Sequence, residues 1–376
     1  MLSKIYSNSF LFFFFILISC KSEPAKIPNG SADRNVIIDS TITAFQKKLL
    51  AQQIDSVFSK TKFNGSISVV RDGEKLYEKE NGFEDFKTKA KLDSNSVFAI
   101  GSVSKQFTAA MILMLEDQGK LSTNNKVSKF LPEFQNRQFE SITVHQLLNH
   151  TSGISDLGNG LHSKPGNKFN YSNKGYRLLG EIIEKASGKS YGTNAEELFA
   201  KAGMIHSSTA NVFNGNHFAG AYLGNSSRFE KIENMPKRLS NIEISVAAGG
   251  VLSTVNDLHR WNAALYSGKI LKPETLKKFL QKSSENQHAI LGKVGYGYGI
   301  MINEEKPSSY FHSGYVKGSP SLNIYYPETK TSVVILSNIA DESKGKNGFF
   351  IPHKEVKKLT EIIENTVADL RNEMIK

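Results

Sequence analysis

The first residues with the spacing of a catalytic pair are Ser102 and Lys105, in the stretch Ser102-Val103-Ser104-Lys105. At the start of a predicted helix, an i,i+3 pair lies on one helical face, close enough for side-chain contact. A serine hydroxyl becomes nucleophilic when a base takes its proton, and a lysine in a dry pocket can have its pKa lowered enough to be that base. The free amides of a helix N-terminus would stabilise an oxyanion. The pair therefore predicts acyl transfer, with a capping serine and a solvent-facing lysine as the structural alternative.

Two further fragments carry side chains that acyl transfer can use. Tyr171-Ser172-Asn173 precedes a helical stretch, and Phe311-His312-Ser313-Gly314-Tyr315 lies on a predicted strand near the C-terminus, where it could line the edge of a cleft. Each also has a plain structural interpretation. The first is a helix entry capped by Asn173, and the second is an edge strand with an exposed histidine.

Hydrophobic periodicity predicts the elements that must position these residues. It predicts helices over 41–60, 102–118, 144–149, 176–186, 195–202, 255–266 and 356–374, and strands over 66–71, 75–80, 297–302, 310–313, 321–326 and 331–337. An early strand pair and a late meander indicate one antiparallel sheet built from both chain ends and flanked by helices. The fold class is therefore α/β, with an inserted all-α part.

The predicted body is one domain over residues 41–376. Its sheet-forming parts are about 41–108 and 245–376, and the helical insertion is about 109–244. Hydrophobic residues make up 39% of the 376 residues and charged residues 22%, which excludes wholesale disorder and a disulfide scaffold.

The charge pattern does not favour a nucleic-acid partner. The net charge is +11, but 39 of the 47 basic residues are Lys and only 8 are Arg, the residue suited to gripping phosphate. His145 and His150 lack the H-E-x-x-H arrangement, so we expect no metal and no cofactor. We expect a monomer whose partner is a small-molecule or peptide substrate.

The N-terminus has the pattern of an export signal. Residues 10–18 are an unbroken apolar run of nine, too short to cross a bilayer core of about 30 Å but typical of a signal peptide. Leu17-Ile18-Ser19-Cys20 resembles the lipobox of bacterial lipoproteins. It predicts a signal peptide over residues 1–19 and lipidation of Cys20. An ordinary signal peptide with an incidental cysteine is the alternative.

Residues 20–40 mix Pro, Gly, Ser and charge, which predicts a lipidated cysteine followed by a flexible tether. Two or three acyl chains would anchor the protein stably, because each buried CH₂ contributes about 0.8 kcal/mol. We therefore expect an extracytoplasmic protein of the bacterial cell envelope, lipid-anchored to the outer membrane.

The order S-x-x-K, Y-S-N and H-S-G resembles the serine β-lactamase and penicillin-binding superfamily, specifically its class C-like branch. That branch includes class C β-lactamases, DD-peptidases, D-aminopeptidases and carboxylesterases. Supporting segments are Leu147–Gly153, Ala247–Thr254 and Val333–Asn338, and the resemblance covers roughly residues 41–340.

The resemblance implies a role for each site residue. Ser102 would be the acylated nucleophile, Lys105 would help to deprotonate or orient it, and Tyr171 would be general base and then proton shuttle. Asn173 would contact the polar backbone of the substrate. His312, Ser313 and Gly314 would line the substrate site, and the amides of Ser102 and Tyr315 would form the oxyanion hole.

One departure from the family concerns the substrate. β-Lactamases and DD-peptidases usually carry K-T-G where this chain has His312-Ser313-Gly314, and that lysine holds the substrate carboxylate. A histidine of ordinary pKa, about 6.5, is mostly neutral at pH 7, although Lys317 nearby could substitute. Related esterases and peptidases often carry H-x-G.

We therefore expect an envelope-anchored serine hydrolase that forms an acyl-enzyme on Ser102 and cleaves an ester or amide. A β-lactamase or DD-carboxypeptidase acting on β-lactams or cell-wall peptides is the alternative. A non-catalytic envelope-binding protein is the third hypothesis, which the presence of Ser102, Lys105 and Tyr171 disfavours.

Overall fold

The computed structural model describes residues 31–240, 245–288 and 290–375. The predicted signal peptide and Cys20 lie outside the described residues. Within them, no helix is both long and apolar enough to cross a membrane.

The helices are α1 (Ser31–Thr61), α2 (Ser104–Asp117), α3 (Val144–Leu148), α4 (Asn173–Ser187), α5 (Tyr191–Ala202), α6 (Val246–Gly249), α7 (Val255–Tyr266), α8 (Pro273–Leu280), α9 (Lys346–Phe349) and α10 (Ile351–Met374). The first eight strands are β1 (Gly65–Arg71), β2 (Glu74–Asn81), β3 (Phe83–Asp85), β4 (Ala90–Lys91), β5 (Phe98–Ala99), β6 (Ser208–Thr209), β7 (Tyr222–Asn225) and β8 (Arg228–Lys231). The others are β9 (Val251–Ser253), β10 (Ser284–His288), β11 (Gly292–Tyr296), β12 (Met301–Asn303), β13 (Ser309–Val316), β14 (Ser319–Tyr326), β15 (Thr331–Ser337) and β16 (Ile339–Ala340).

The main sheet joins the two ends of the chain, as the sequence pattern predicts. Its order is β10-β11-β12-β13-β14-β15-β1-β2, and every neighbouring pair is antiparallel. The junction between the late meander and the early pair is the ladder of β15 with β1, in which Val333 lies opposite Val69. Because β15 is buried along its whole length, this junction is at the centre of the molecule.

Side chains of β15 alternate between two apolar cores, as the two-residue period of a strand requires. Val334 and Leu336 pack into the larger core with α2, α4 and α7. Val333 and Ile335 pack into a second core on the other face, which α1 and α10 cover. Full burial of each such side chain stabilises the fold by roughly 1.5–3 kcal/mol.

Helix α1 begins at Ser31, so the prediction of a flexible tether is wrong for residues 31–40. The cause is tertiary: Asp39 accepts a hydrogen bond from Arg371 Nε of α10 at 2.7 Å, and Ile38 packs against the second core. Contacts with α10 lie far away in sequence, and a local pattern of polar residues does not reveal them.

The strand predicted over 297–302 is wrong for residues 297–300, and only its last two residues lie in β12. Residues 297–300 form the connection between β11 and β12, which is closed by the Gly297 amide donating to the Ile300 carbonyl at 2.9 Å. Gly299 has a φ of +67°, which suits a turn and not a strand. The remaining predicted strands lie within β1, β2, β13, β14 and β15.

The stretch between the two sheet-forming parts contains α3, α4 and α5, as predicted, and also three short strands. β6 pairs with β9, while β7 pairs with β8 and with β16. Strands of two to four residues are too short to produce a periodic signal in the sequence.

Candidate active site

Ser102 lies in a 3₁₀ turn over Gly101–Val103 that continues directly into α2. Ser102 is partly exposed, whereas Lys105 is completely buried. The Nζ atom of Lys105 lies 3.1 Å from the Oγ atom of Ser102. The side-chain contact expected from their spacing is therefore present.

The surroundings of Lys105 suit a general base. Its Nζ atom also lies 2.9 Å from Asn173 Oδ1 and 2.7 Å from the Ala248 carbonyl oxygen. Burial lowers the pKa of Lys105 to about 7, and the Asp156 carboxylate opposes that effect in part. When Lys105 is neutral, its two N–H groups can donate to these two oxygens, which only accept. The lone pair then points to the third neighbour, the hydroxyl of Ser102.

The run of small residues after residue 246 explains how the Ala248 carbonyl reaches Lys105. A Cβ atom added to Gly180 of α4 would lie 2.8 Å from the Cβ atom of Ala247. Thr108 Oγ1 of α2 donates to the Ala247 carbonyl at 2.7 Å. Small side chains thus allow α6 to lie against both α2 and α4, with its carbonyl groups turned towards α2.

Ser172 and Asn173 occupy the N-terminus of α4. The helix cap is Ser172, whose Oγ accepts from the Gly175 amide at 2.9 Å, and not Asn173. Ser172 Oγ in turn donates to Asp156 Oδ1 at 2.7 Å, and the Asn173 amide donates to Asp156 Oδ2 at 3.0 Å. Asp156 therefore fixes the position from which Asn173 reaches Lys105.

Asp156 is a residue that sequence reasoning missed. It stands in the loop after the Leu147–Gly153 segment, far from Ser172 along the chain. Asp156 and Ser172 are too far apart along the chain for their spacing to indicate a contact. The only available signal is its place close behind a segment that resembles the family.

Tyr171 lies beside Ser102 and Lys105, and burial shifts its pKa in the opposite direction to that of Lys105. Its ring centroid is 4.8 Å from Lys105 Nζ. Burial raises the pKa of the Tyr171 phenol above its usual value of 10, and the nearby Ser102 hydroxyl opposes only part of that rise. The Tyr171 hydroxyl is buried and makes no hydrogen bond of normal geometry within the described residues. In the free protein, Lys105 is therefore the better proton acceptor and Tyr171 the better donor.

Behind Tyr171, two histidines and a tyrosine form a hydrogen-bonded chain, His150–Tyr296–His312. The Ser172 amide donates to His150 Nδ1 at 3.2 Å, which leaves the proton of neutral His150 on Nε2. The Nδ1 atom of His312 lies 2.6 Å from the Ser313 carbonyl oxygen, which only accepts, so His312 carries its proton on Nδ1. The Tyr296 hydroxyl lies between the two Nε2 atoms, 3.1 Å from each.

Both histidines of this chain are neutral. Burial lowers the pKa of His312 to about 3 and that of His150 well below 6.5, and the neighbouring Lys105 adds to both effects. The only assignment that satisfies every group is donation from His150 to Tyr296 and from Tyr296 to His312. Both ring nitrogens of His312 are thus used inside the protein, so neither is free to bind a substrate.

The backbone of β13 lies directly against the turn that carries Ser102. A Cβ atom on Gly314 would lie 2.0 Å from the Ile100 carbonyl oxygen, and one on Gly101 would lie 2.7 Å from the Tyr315 amide nitrogen. Only glycines permit this approach, and Gly101 also has a φ of +51°. The amides of Ser102 and Tyr315, expected to form an oxyanion hole, therefore belong to two backbone segments in direct contact.

A cavity of about 380 Å³ opens beside Ser102. Tyr171, His312, Ser313 and Tyr315 line it, whereas Asn173 and Gly314 are not among the lining residues. Among the described residues, the lining contains no lysine or arginine. Lys317, the candidate replacement for the missing K-T-G lysine, is exposed in the turn between β13 and β14 and does not line the cavity.

One group of metal-ligating side chains is present in the described part of the chain. Glu84, Asp93 and His217 place one possible ligand atom each within 4.8 Å of one another. None of the three lines the cavity beside Ser102.

Known proteins resemble this chain in sequence and in fold. The family model described as Beta-lactamase matches residues 41–350. Penicillin-binding protein 4* of Bacillus subtilis is 27% identical over 336 residues, which cover 80% of this chain and 73% of the relative. The octameric penicillin-binding protein homologue from Pyrococcus abyssi superposes with a TM-score of 0.71 at 27% identity, over 84% of this chain and 77% of that one.

A D-amino acid amidase from Ochrobactrum anthropi, solved with D-phenylalanine, shares the fold with a TM-score of 0.69 at 20% identity, over 84% of this chain and 99% of that one. The family model covers most of the chain, including the segments that carry Ser102, Tyr171 and His312. The chain belongs to the β-lactamase family of serine hydrolases.

Proposed function

We propose that this protein is a serine hydrolase that forms an acyl-enzyme on Ser102 and cleaves an uncharged ester or amide. The observation that carries the proposal is the buried Lys105, with a pKa lowered to about 7 and Nζ 3.1 Å from Ser102 Oγ. A general base works best when its pKa lies near the operating pH. Near neutral pH, a large share of the molecules would hold Lys105 in the neutral form that can take the serine proton.

The reaction then has two halves. As Ser102 Oγ forms a bond to the substrate carbonyl carbon, its proton moves to Lys105 Nζ, and the amides of Ser102 and Tyr315 stabilise the oxyanion. The bond from the tetrahedral carbon to the alcohol or amine then breaks, and this leaving group takes up the proton that Lys105 received from Ser102, either directly or by relay through the Tyr171 hydroxyl. Water then attacks the acyl-enzyme by the same route in reverse, giving a carboxylic acid and free Ser102.

The absence of a cation from the described cavity lining favours an uncharged substrate over a β-lactam or a D-Ala-D-Ala peptide. The neutral His312, with both nitrogens engaged, does not supply the charge that a K-T-G lysine would. β-Lactamase or DD-carboxypeptidase activity remains the second candidate, because the relative from Bacillus subtilis is named a penicillin-binding protein.

One experiment separates these activities. The full-length chain, purified in detergent, is assayed with a p-nitrophenyl ester and a chromogenic cephalosporin, with Ser102→Ala as control. We expect ester turnover that disappears in Ser102→Ala, and no cephalosporin cleavage. Cephalosporin cleavage that depends on Ser102 would establish the second candidate. No Ser102-dependent turnover, together with no covalent labelling by a fluorophosphonate, would overturn the proposed mechanism.

We also propose that the hydrolase is anchored to the envelope through Cys20. The support is the sequence Leu17-Ile18-Ser19-Cys20 directly after the apolar run. Metabolic labelling with an alkyne palmitate analogue in the native bacterium tests this proposal. We expect a labelled protein in the membrane fraction and loss of the label in Cys20→Ser. An unlabelled wild-type chain released as a soluble protein would contradict it.

A further inference from the structure

We propose that the substrate carries a bulky apolar group, of aromatic size, which binds against Ile290, Phe349 and Phe350 in the cavity beside Ser102. The inference names the substrate class of the Ser102 site and rests on the hydrolysis proposed above. It adds a specificity determinant in a segment to which the sequence analysis gave no role.

The apolar wall is a distinct cluster of side chains. Ile290, Phe349 and Phe350 pack with Ala340 and Tyr315 in a small core of their own, separate from the two main cores. The three residues Ile290, Phe349 and Phe350 are 7–9% exposed, and all of them line the cavity beside Ser102. Large apolar side chains that face a cavity in this way present a surface from which an apolar ligand would displace water.

Tyr315 connects the apolar wall to the backbone segment that lies against the Ser102 turn. The rings of Tyr315 and Phe349 are stacked with centroids 3.8 Å apart, and Phe349 and Phe350 are 4.8 Å apart. The Tyr315 hydroxyl hydrogen-bonds to Glu342. The Tyr315 side chain is therefore fixed both by ring stacking and by this hydrogen bond. Because the Tyr315 amide is also one of the two expected oxyanion donors, a group bound on this wall would have its carbonyl close to Ser102.

Another part of the cavity lining is polar but carries no lysine, arginine or carboxylate among the described residues. Asn286, Gln287 and His288 of β10 supply it. Amide side chains and an imidazole can hydrogen-bond to an ester or amide group without selecting a charge. A cavity of about 380 Å³ lies within the range of roughly 300–1,000 Å³ typical of small-molecule sites. Shape, polarity and charge thus all indicate an uncharged substrate with one apolar end.

The test compares two ester series on the full-length protein. In one, the acyl group of a p-nitrophenyl ester changes from acetyl to hexanoyl to phenylacetyl. In the other, the alcohol of an acetate ester changes from ethyl to hexyl to benzyl. We expect kcat/KM to rise in one series on the order of 10- to 200-fold, the usual range for added apolar groups in a hydrophobic pocket.

The variants Phe350→Ala and Phe350→Leu should flatten this rise, with the larger effect for alanine. Phe45→Ala, which removes an exposed phenylalanine on α1, is the matched control and should keep the full rise. The leucine variant keeps the test usable if the alanine variant does not fold.

Each outcome has a defined meaning. If kcat/KM is flat in both series, or if its rise persists in both Phe350 variants, the apolar wall is not the specificity determinant. Either result would leave the proposed chemistry of Ser102 in place. Fluorophosphonate labelling of Ser102 reports on that chemistry separately. If neither labelling nor turnover occurs, the proposed function fails and the substrate inference fails with it.

Discussion

His150 and His312 are joined through one hydroxyl group, since the Nε2 atom of each lies 3.1 Å from Tyr296 Oη. The outer nitrogens of the two rings bond to backbone groups at Ser172 and Ser313, which fixes both tautomers. This hydrogen-bonded chain connects His150, in the loop after α3, to His312 on β13. It occupies His312 on both nitrogens, so the ring acts as a fixed part of the cavity wall and not as an anion-binding group.

Removal of the shared hydroxyl in Tyr296→Phe should damage both stability and activity. The buried Nε2 atoms of His150 and His312 would lose their partner, at a cost of about 1–3 kcal/mol for each unsatisfied group. Since the rings of His150 and Tyr171 pack with centroids 4.3 Å apart, we also expect kcat/KM for a p-nitrophenyl ester to fall at least tenfold.

Tyr298→Phe is the matched control for this prediction. Tyr298 also hydrogen-bonds to a histidine, with Oη 2.6 Å from His145 Nδ1, but His145, unlike His312, does not line the cavity. We expect a comparable loss of stability in urea unfolding and little change in kcat/KM. Equal activity losses in Tyr296→Phe and Tyr298→Phe would show that the histidine–tyrosine chain has no special link to the site.

The pH dependence should report on Lys105 and Asp156 together. With the pKa of Lys105 lowered to about 7, kcat/KM should rise with pH through that value as Lys105 loses its proton. The Asp156 carboxylate opposes the lowering, so Asp156→Asn should move the rise to a lower pH. The asparagine can still accept a hydrogen bond from the α4 cap, which preserves much of the local structure.

The control for Asp156→Asn is Asp72→Asn, in the exposed turn between β1 and β2. Its profile of kcat/KM against pH should superimpose on that of the wild type. A shift of the Asp156→Asn profile to higher pH would contradict the proposed electrostatic role of Asp156.

Much of the architecture could be predicted because it depends on local patterns. The apolar run of β15, the helical periodicity of α4 and α7, and the spacing of Ser102 and Lys105 are all properties of short segments. Periodicity and spacing therefore predicted a sheet built from both chain ends and the side-chain contact between Ser102 and Lys105.

The rest depends on contacts that no local pattern contains. Asp156 reaches the α4 cap across a loop, and Tyr296 joins two histidines from different parts of the chain. The choice of Lys105 over Tyr171 as base follows from burial, which exists only in the folded protein. Phe349 and Phe350 line the cavity because the segment after β16 folds back against it. Nothing in their local sequence predicts that position.

Lys105→Met should change how stability varies with pH. Between the folded pKa of about 7 and the unfolded value of about 10.4, the unfolded wild type binds more protons than the folded protein. Its free energy of unfolding therefore rises with pH in this window, by up to about 1.4 kcal/mol per pH unit. Lys105→Met lacks this pH dependence. The free energy of unfolding of the variant should therefore exceed that of the wild type by the largest amount below pH 7.

Urea unfolding at pH 6.5, 8 and 9.5 measures this effect. Lys317→Met is the control, because Lys317 is exposed and its loss should leave the pH dependence of stability unchanged. If the wild-type and Lys105→Met curves run parallel across the window, Lys105 does not lose its proton on folding, and its role as resting base is contradicted.

Gly314→Ala tests whether the contact between β13 and the Ser102 turn is needed for acylation. The new Cβ atom would lie 2.0 Å from the Ile100 carbonyl oxygen and 2.4 Å from Ser321 Oγ, while Ser321 itself donates to that carbonyl at 2.7 Å. A backbone oxygen held in this way cannot retreat without displacing the turn that positions Ser102. We expect a loss of about 1–3 kcal/mol of stability, as for other overpacked sites.

The activity of Gly314→Ala should fall further than its stability explains. Gly160→Ala is the control, because a Cβ atom there meets no neighbouring atom within 4 Å. The rate of fluorophosphonate labelling at a temperature where all three proteins are folded separates the two effects. We expect labelling of Gly314→Ala to be at least tenfold slower than that of the wild type and Gly160→Ala. Labelling at the wild-type rate in a destabilised but folded Gly314→Ala would mean that the contact supports the fold alone, and that the oxyanion donors lie elsewhere.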